Sequence, residues 1–453
     1  MQDEDWGRDS PMEGREIIEE LDLNTGGLVG AVTGIEGTGQ LVTGTRNDES
    51  GWRPALQGRG RNPAAAPEDN RLTVHTIRDA RGRVLGLGSF SRAGGEGVGD
   101  DDDEVEGSGG WEPVVEAWAS HEGAVTEIDV AGGFGNLGGV SGVVTSGGDG
   151  CLRLFELTVG DGQYDQDRDQ DQEENGDGSG SGPSLALRAQ VAAHTARATG
   201  VASTRRRAVT VGEDGVVNLV DLQRMTSRGG GRGGEGEGGV VWTGSAKGSL
   251  PLTGVTFQGE SEEVFATVGC DPRAQLLVWD ARADASRPAL TALGSLDGSD
   301  APYLCVASQP FTPQVFACGV STGELLLWDV RARETVNKLQ VGDSKGCTGG
   351  GTWGVAFHPR RPRHLFSCSG TGLLTKWLLP AGQGQAAAAA APRFGFGGGG
   401  GGGGGSWDGR NLHALASRSA LVGVCYDEAA DCLSSVSKHG HVVVAQGVAG
   451  LRL

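Results

Sequence analysis

The residues of this chain that are able to do chemistry are thinly spread, and their spacing excludes several sites. Eight cysteines, Cys151, Cys270, Cys305, Cys318, Cys347, Cys368, Cys425 and Cys432, form no CxxC pair, whereas a structural zinc site draws on paired thiolates a few residues apart. Most sit inside apolar runs, the usual place of reduced core thiols in an intracellular protein. The acidic stretch from Asp165 to Glu174 invites a calcium loop, which needs glycine at its sixth position and glutamate at its twelfth. Counted from Asp165, those positions hold Gln170 and Gly176. GSAKGS at 244–249 and GDSKGC at 342–347 lack the Gly-Lys-Ser/Thr order that sets a lysine on phosphates. No GxSxG pattern leads into a helical segment, so serine, histidine and aspartate give no nucleophile elbow. The expectation is a non-enzyme with no cofactor, no metal and no small-molecule substrate.

Charge and composition narrow the partners. The chain has 453 residues, 83 of them glycine, with 38 Lys and Arg against 58 Asp and Glu, or 38 − 58 = −20. Glycine at about 18% is more than twice its ordinary share of roughly 7%. An acidic chain is a poor match for a polyphosphate, so direct nucleic-acid binding is not expected. Three basic strings, Arg205-Arg206-Arg207, SRGGGRGG at 227–234 and His358 to His364, read as solvated turns or linkers. The first twenty residues carry eight acids, and a signal peptide needs a basic start and an apolar run. The longest apolar stretch, Ala386 to Ala391, falls far short of the roughly 20 residues of a membrane span.

The elements that must position any site are short strands. Apolar runs alternate at period two, seldom exceed eight residues, and come in threes between Gly, Asp and Ser turns. TWGVAFHPRRPRHLFSCSGTGLLTKWL at 352–378 is the clearest triplet, and Trp279, Trp328 and Trp377 recur at intervals of 49 residues. Seven triplets can be marked, and a fixed period near 40–50 residues points to propeller blades. A fourth strand fits before each following triplet, as in PVVEAWAS at 113–120, and the strand-like piece Glu16 to Leu23 is available to complete the last blade and close the ring. The expected fold is all-β, a seven-bladed propeller with long disordered Gly- and acid-rich insertions. Residues 1–15 read as a disordered N-terminus and 16–379 as blades one to six. Insertions are expected at 46–69, 91–110, 160–183 and 225–239, an Ala/Gly-rich linker at 380–406, and the last blade at 407–453.

The repeats resemble a known class. Trp279-Asp280 and Trp328-Asp329 are similar to the dipeptide that names WD repeats. His121-Glu122-Gly123 resembles the Gly-His element of those repeats, and Asp149 and Asp214 resemble their turn aspartate. The resemblance implies that His121 with Asp149, and His194 with Asp214, tie turn to strand. TVGEDGVVNLVD at 210–221, QVFACGVSTGELLLWDVR at 314–331 and TWGVAFHPRRPRHLFSCSGTGLLTKW at 352–377 occur in the order of the forty-three-kilodalton WD-repeat nucleoporins. So does Ser417-Arg418-Ser419 after a long polar linker. That resemblance implies a scaffold subunit of the Y-shaped outer ring of the nuclear pore, at the nuclear envelope. Its partners would be other scaffold nucleoporins, and its contribution to nucleocytoplasmic transport and messenger-RNA export architectural. Trp353, at the start of a first strand near the rim where such propellers dock partners, and Glu213 beside its turn are the candidate contacts. A rival stands beside this. Trp279-Asp280-Ala281-Arg282 and Trp328-Asp329-Val330-Arg331 resemble the WDxR doublet of substrate receptors for cullin-RING ubiquitin ligases, in which Arg282 and Arg331 would meet the ligase adaptor.

Overall fold

Strands buried on both faces lose the alternation of a half-exposed sheet and read as continuous apolar runs. Here Gln40–Thr45, Val315–Val320, His364–Ser369 and Cys432–Ser437 are buried along their whole length. Each is the second strand of a four-stranded antiparallel sheet whose two faces lie against neighbouring sheets. The computed structural model describes residues 18–23, 29–35, 40–46, 70–78, 84, 112–131, 140–158, 183–227, 239–245, 250–272, 275–285, 287–292, 301–340, 350–378, 408–414, 419–428 and 431–448.

Seven such sheets form a propeller. Blade 1 runs Val29–Ile35, Gln40–Thr45, Arg71–Arg78, Glu112–Ser120, and blade 2 runs Val125–Ala131, Val140–Gly147, Cys151–Thr158, Ser184–Ala192. Blade 3 is Ala198–Ser203, Arg207–Gly212, Val216–Asp221, Val240–Ser245, and blade 4 is Leu252–Phe257, Val264–Gly269, Leu276–Asp280, Leu290–Ala292. Blade 5 is Tyr303–Ser308, Val315–Val320, Glu324–Asp329, Glu334–Gln340, and blade 6 is Thr352–Phe357, His364–Ser369, Leu373–Leu378, Asp408–Ala414. Blade 7 takes Leu421–Asp427, Cys432–Ser437 and His441–Gln446, and its outer strand, Ile18–Asp22, comes from the other end of the chain. The register of that closing strand runs from Ile18 opposite Ala445 to Asp22 opposite His441. First strand packs on first strand around the circle, and Val29–Ile35 meets Leu421–Asp427 to close it.

The core lies between blades. Val209, Val211 and Leu219 of blade 3 pack on Phe257, Phe265 and Trp279 of blade 4. Trp242, from the outer strand of blade 3, meets Phe265 and Trp279 edge-on at 5.5 and 5.8 Å. Every first strand also carries a β-bulge at the same place. The residue bulged out is Gly30, Thr126, Thr199, Thr253, Leu304, Trp353 or Val422 in blades 1 to 7. A bulge frees one residue from its ladder and turns its side chain elsewhere. In blades 2 and 3 the threonine hydroxyl donates to the first-strand carbonyl of the next blade, Thr126 to Ala198 at 2.7 Å and Thr199 to Leu252 at 2.6 Å. Thr253 does the same to Tyr303. These ties join the first strands of blades 2 to 5 in succession.

Two boundaries differ from the sequence expectation. The last blade does not begin at 407, since Asp408–Ala414 pairs with Leu373–Leu378 and completes blade 6. The stretch 225–239 does not begin as a linker either. Leu222–Ser227 is a short helix, and Met225 is buried beside Ala208 and Val220 because it covers the end of blade 3. Residues 1–15, and the insertions and linker expected at 46–69, 91–110, 160–183 and 380–406, lie outside the described residues apart from Arg46 and Pro183.

Candidate functional site

Each second strand places one small polar side chain at the same depth: Thr43, Thr145, Thr210, Thr267, Cys318, Ser367 and Ser435, all buried. A buried hydroxyl needs a partner, and what supplies it varies between blades. In blade 3 it is His194, whose Nε2 lies 3.3 Å from Thr210 Oγ1 while Nδ1 lies 3.0 Å from Asp214 Oδ1. Asp214 also accepts from the Thr195 and Val216 N–H groups at 3.0 and 3.1 Å. Burial pushes its carboxyl up, but His194 and these donors outweigh that and hold it below the ordinary carboxylate value. Blades 4 and 6 use indole instead, with Trp279 donating to Thr267 and Trp377 to Ser367, both at 2.9 Å. Replacing Asp214 by Ala strips the turn of its acceptor and costs about 1–3 kcal/mol. The expected outcome is a melting temperature lowered by a few degrees, and an unchanged melt would contradict the role given to this turn.

Blade 2 departs from the expected pairing. His121 Nε2 meets Thr145 Oγ1 at 2.9 Å, but its Nδ1 donates to the Gly123 carbonyl at 2.9 Å rather than to Asp149. Asp149 is engaged by Arg153, a side chain 1% exposed, through both guanidinium ends. A fixed charge four residues downstream outcompetes a neutral imidazole for the carboxylate. Blade 1 has its own histidine, His75, with Nε2 3.0 Å from Thr43 Oγ1.

The candidate contacts fall on the face where first strands begin. Trp353 is the bulged residue of blade 6 and is 38% exposed. Its indole lies against the turn at Gly370, where an added Cβ would come within 2.9 Å of Nε1. Glu213 sits in the corresponding turn of blade 3, with its N–H donating to Arg197 O at 2.9 Å. The structure does not bring Trp353 and Glu213 together, because they stand three blades apart in the ring. Larger apolar exposures lie on the circumference. Trp118 and Val115, in the outer strand of blade 1, are 56% and 52% exposed, and Arg71 covers one face of Trp118 at 5.1 Å.

Arg282 and Arg331 lie on the opposite face, after the third strands of blades 4 and 5. Arg282 is 65% exposed but forks onto its own Asp280 with two contacts of 2.8 Å, and reaches Glu263 at 3.5 Å. Arg331 donates its N–H to Asp329 at 2.9 Å and keeps its side chain 46% exposed. A local role, closing the turn after the strand, accounts for both placements.

Several residues of the structure have no counterpart in the motif reading. Arg153 is one. Another is the relay between blades 6 and 7: the string His358 to His364, expected as a solvated turn, buries both its histidines, and His358 Nδ1 accepts from Arg360 and Arg361 N–H at 3.1 Å. Its Nε2 meets Tyr426 Oη at 3.1 Å, and Tyr426 donates to Asp431 at 2.7 Å. Glu127 and Asp129, both in the first strand of blade 2, are a third case. Their signal was present as two alternating acids inside the apolar run VTEIDV. Among the described residues, no group of three or more His, Cys, Asp or Glu is placed to hold a metal ion. Among the described residues, no helix is long and apolar enough to cross a membrane.

No family model matches the chain. Over 185 residues it is 33% identical to a Mus musculus protein named Nucleoporin Nup43, and over 184 residues 33% identical to the Homo sapiens protein of that name. Each match takes 40% of this chain, and the chain spans 42% of the length of these relatives. A shorter match, 35% over 86 residues, is to a Chlamydomonas reinhardtii protein named Ribosome biogenesis protein WDR12 homolog and covers 19% of each chain. Identity at one residue in three over that longer segment, joined to seven four-stranded blades closed by an amino-terminal strand, fits a Nup43-like WD-repeat nucleoporin.

Proposed function

We propose that the chain is a structural scaffold subunit of the nuclear pore complex, resident at the nuclear envelope within the Y-shaped outer ring. It binds α-helical scaffold nucleoporins of that ring and supports nucleocytoplasmic transport and messenger-RNA export by holding the framework together. The observation that carries this reading is the sequence identity to Nup43 in Mus musculus and Homo sapiens. The closed ring of blades supports it, because a propeller offers rigid rims and wide edges and needs no chemistry of its own. Trp353 is the anchor on the first-strand face, since a large aromatic at a rim is the side chain most able to concentrate binding energy. Glu213, three blades away, is a contact of the same face for a partner wide enough to span it.

Affinity purification of the tagged full chain, with Trp353→Glu as the comparison, tests the reading and the site separately. The expected result is recovery of scaffold nucleoporins with the parent chain and a loss of about tenfold or more with Trp353→Glu, the size of a hot-spot deletion. Equal recovery with both chains, and a loss with Trp118→Glu, would move the contact to the edge of blade 1. Recovery of a ubiquitin-ligase adaptor and a cullin without nucleoporins would overturn the scaffold reading in favour of the WDxR one.

A further inference from the structure

On the face where first and third strands end, the turns of neighbouring blades are tied to one another. Gly259 N–H of blade 4 donates to Ser308 Oγ of blade 5 at 3.2 Å, and Gln309 Nε2 of blade 5 donates to the Pro362 carbonyl of blade 6 at 3.1 Å. Val330 N–H donates to the Gln314 carbonyl at 3.0 Å, which sets the second turn of blade 5, with Arg333, beside its first. Three turns, 309–314, 330–334 and 358–363, are thereby held together. Phe311 belongs to the first of them and is 50% exposed. Pro310 before it, and Pro362 across the seam between blades, are exposed as well. A single exposed apolar side chain is ordinary, but an apolar patch rimmed by charge is the usual form of a binding surface.

The rim is arginine. Arg333, Arg360 and Arg361 are exposed in these turns. Arg360 is 80% exposed and engages Glu428 at 2.9 Å through Nε, which is one of its five donors. The carboxylates of this region lie deeper. Glu428 is 15% exposed, Asp329 is buried, and Asp427 and Asp431 are half-buried. Among the described residues, the outer layer that a partner meets is therefore guanidinium, although the chain carries −20 in all. Charges further away than about 8 Å are largely screened at physiological salt, so this layer decides what docks. Arg333 adds a backbone signal, since its φ of 56° lies in the left-handed region that a side chain disfavours and that recurs where a side chain is in use. Toward blade 4 the exposed Glu260 bounds the basic rim.

We propose that this face of blades 5 and 6 docks an acidic peptide segment of a partner protein, with its carboxylates on Arg333, Arg360 and Arg361 and an apolar side chain on Phe311. Guanidinium forks match carboxylates in geometry as well as charge, and an aromatic ring beside prolines covers an apolar side chain set between those carboxylates. A nucleic acid has the same sign but a charge at every step, and would meet Glu260 and the acidic remainder of the chain. The site lies on the opposite face from Trp353 and is independent of the contact assigned to that residue.

The test titrates the full chain at pH 7 with fluorescent forms of acetyl-Glu-Asp-Phe-Glu-Asp-amide, its neutral isostere acetyl-Gln-Asn-Phe-Gln-Asn-amide, and a short oligothymidylate. The acidic peptide should bind saturably, and the other two should not. Phe311→Ser, and Arg360→Glu with Arg361→Glu, should each weaken it at least about tenfold. Both variants should melt with the parent, because the altered side chains are exposed and His358 is held by the main-chain N–H groups of the two arginines. The arginine double variant should instead bind acetyl-Lys-Lys-Phe-Lys-Lys-amide, a gain that a misfolded chain would not show. Arg205→Glu with Arg206→Glu, exposed arginines of blade 3 on the same face, should leave the affinity of the acidic peptide unchanged. No saturation by that peptide, equal binding of its isostere, or tighter binding of the oligothymidylate would overturn the proposal. So would an equal loss with the blade 3 variant, since binding would then follow general charge rather than this patch.

Discussion

At pH 4.5 the protein is expected to melt far below its melting temperature at pH 7. Four histidines are buried as neutral groups, and in His358 a second ring proton would displace the two N–H groups that Nδ1 accepts. Burial lowers His75 and His121 from 6.5 to about 4, His358 likewise to about 4 with Arg361 adding to it, and His364 to about 3 with Lys376 adding to it. Between 6.5 and 4 the unfolded chain therefore binds more protons than the folded one, and stability falls as the pH falls. For His75 and His121 alone, two units below the unfolded value is worth up to about 2.7 kcal/mol each. Halving that for local relaxation and water entry leaves roughly 2–3 kcal/mol for the pair, against a typical total of about 5–15. His358 and His364 push in the same direction, because protonating His358 Nδ1 would cost it the two N–H groups it accepts.

Glu127 and Asp129 oppose this. Both carboxyls are raised, so their contribution is present at low pH and lost as pH rises. Four groups against two leaves acid as the losing side. Thermal melts followed by circular dichroism at pH 7 and 4.5 should differ by about 10 °C or more. A difference under about 2 °C would mean that the histidines titrate as they do in an unfolded chain.

Removal of residues 1–23 should produce the second large effect. The deletion leaves His441–Gln446, with Val442, Val443 and Val444 buried along it, as an open sheet edge. It also removes Leu23, 2% exposed against Val436 and Val442, whose burial is worth about 1.5–3 kcal/mol. An open apolar edge pairs with other chains. The truncated protein is expected to melt about 10 °C lower and to run as oligomers in size-exclusion chromatography with light scattering, while a synthetic peptide of the deleted residues restores the monomer. A truncated chain that stays monomeric and melts with the full chain would show that the ring does not depend on this strand.

Much of this architecture was legible in the sequence, because strand length, the 49-residue recurrence of Trp279, Trp328 and Trp377, and the stray apolar piece before Leu23 all report backbone pairing, which is a local or periodic property. The departures come from contests between side chains. Asp149 had two suitors, His121 and Arg153, and spacing alone does not show which is closer once the turn is folded. The bulge register was hidden because its residue type varies from Gly30 to Trp353. A bulge is a property of the pairing partner as much as of the strand. Asp408–Ala414 followed a long glycine tract, and nothing local distinguishes the last strand of one blade from the first of the next. The turn and strand positions of Trp353 and Glu213 follow from their place in a repeat, but their separation around the ring needed the blade count.

The most direct measurement of the central claim is the composition of the complex that the full, tagged chain draws from its own cells under mild detergent, quantified by mass spectrometry. The account predicts stoichiometric scaffold nucleoporins, weakened by Trp353→Glu and unaffected by charge reversal at Arg282 and Arg331. A preparation holding a ligase adaptor with a cullin, lost on reversal of those two arginines and containing no nucleoporin, would contradict it.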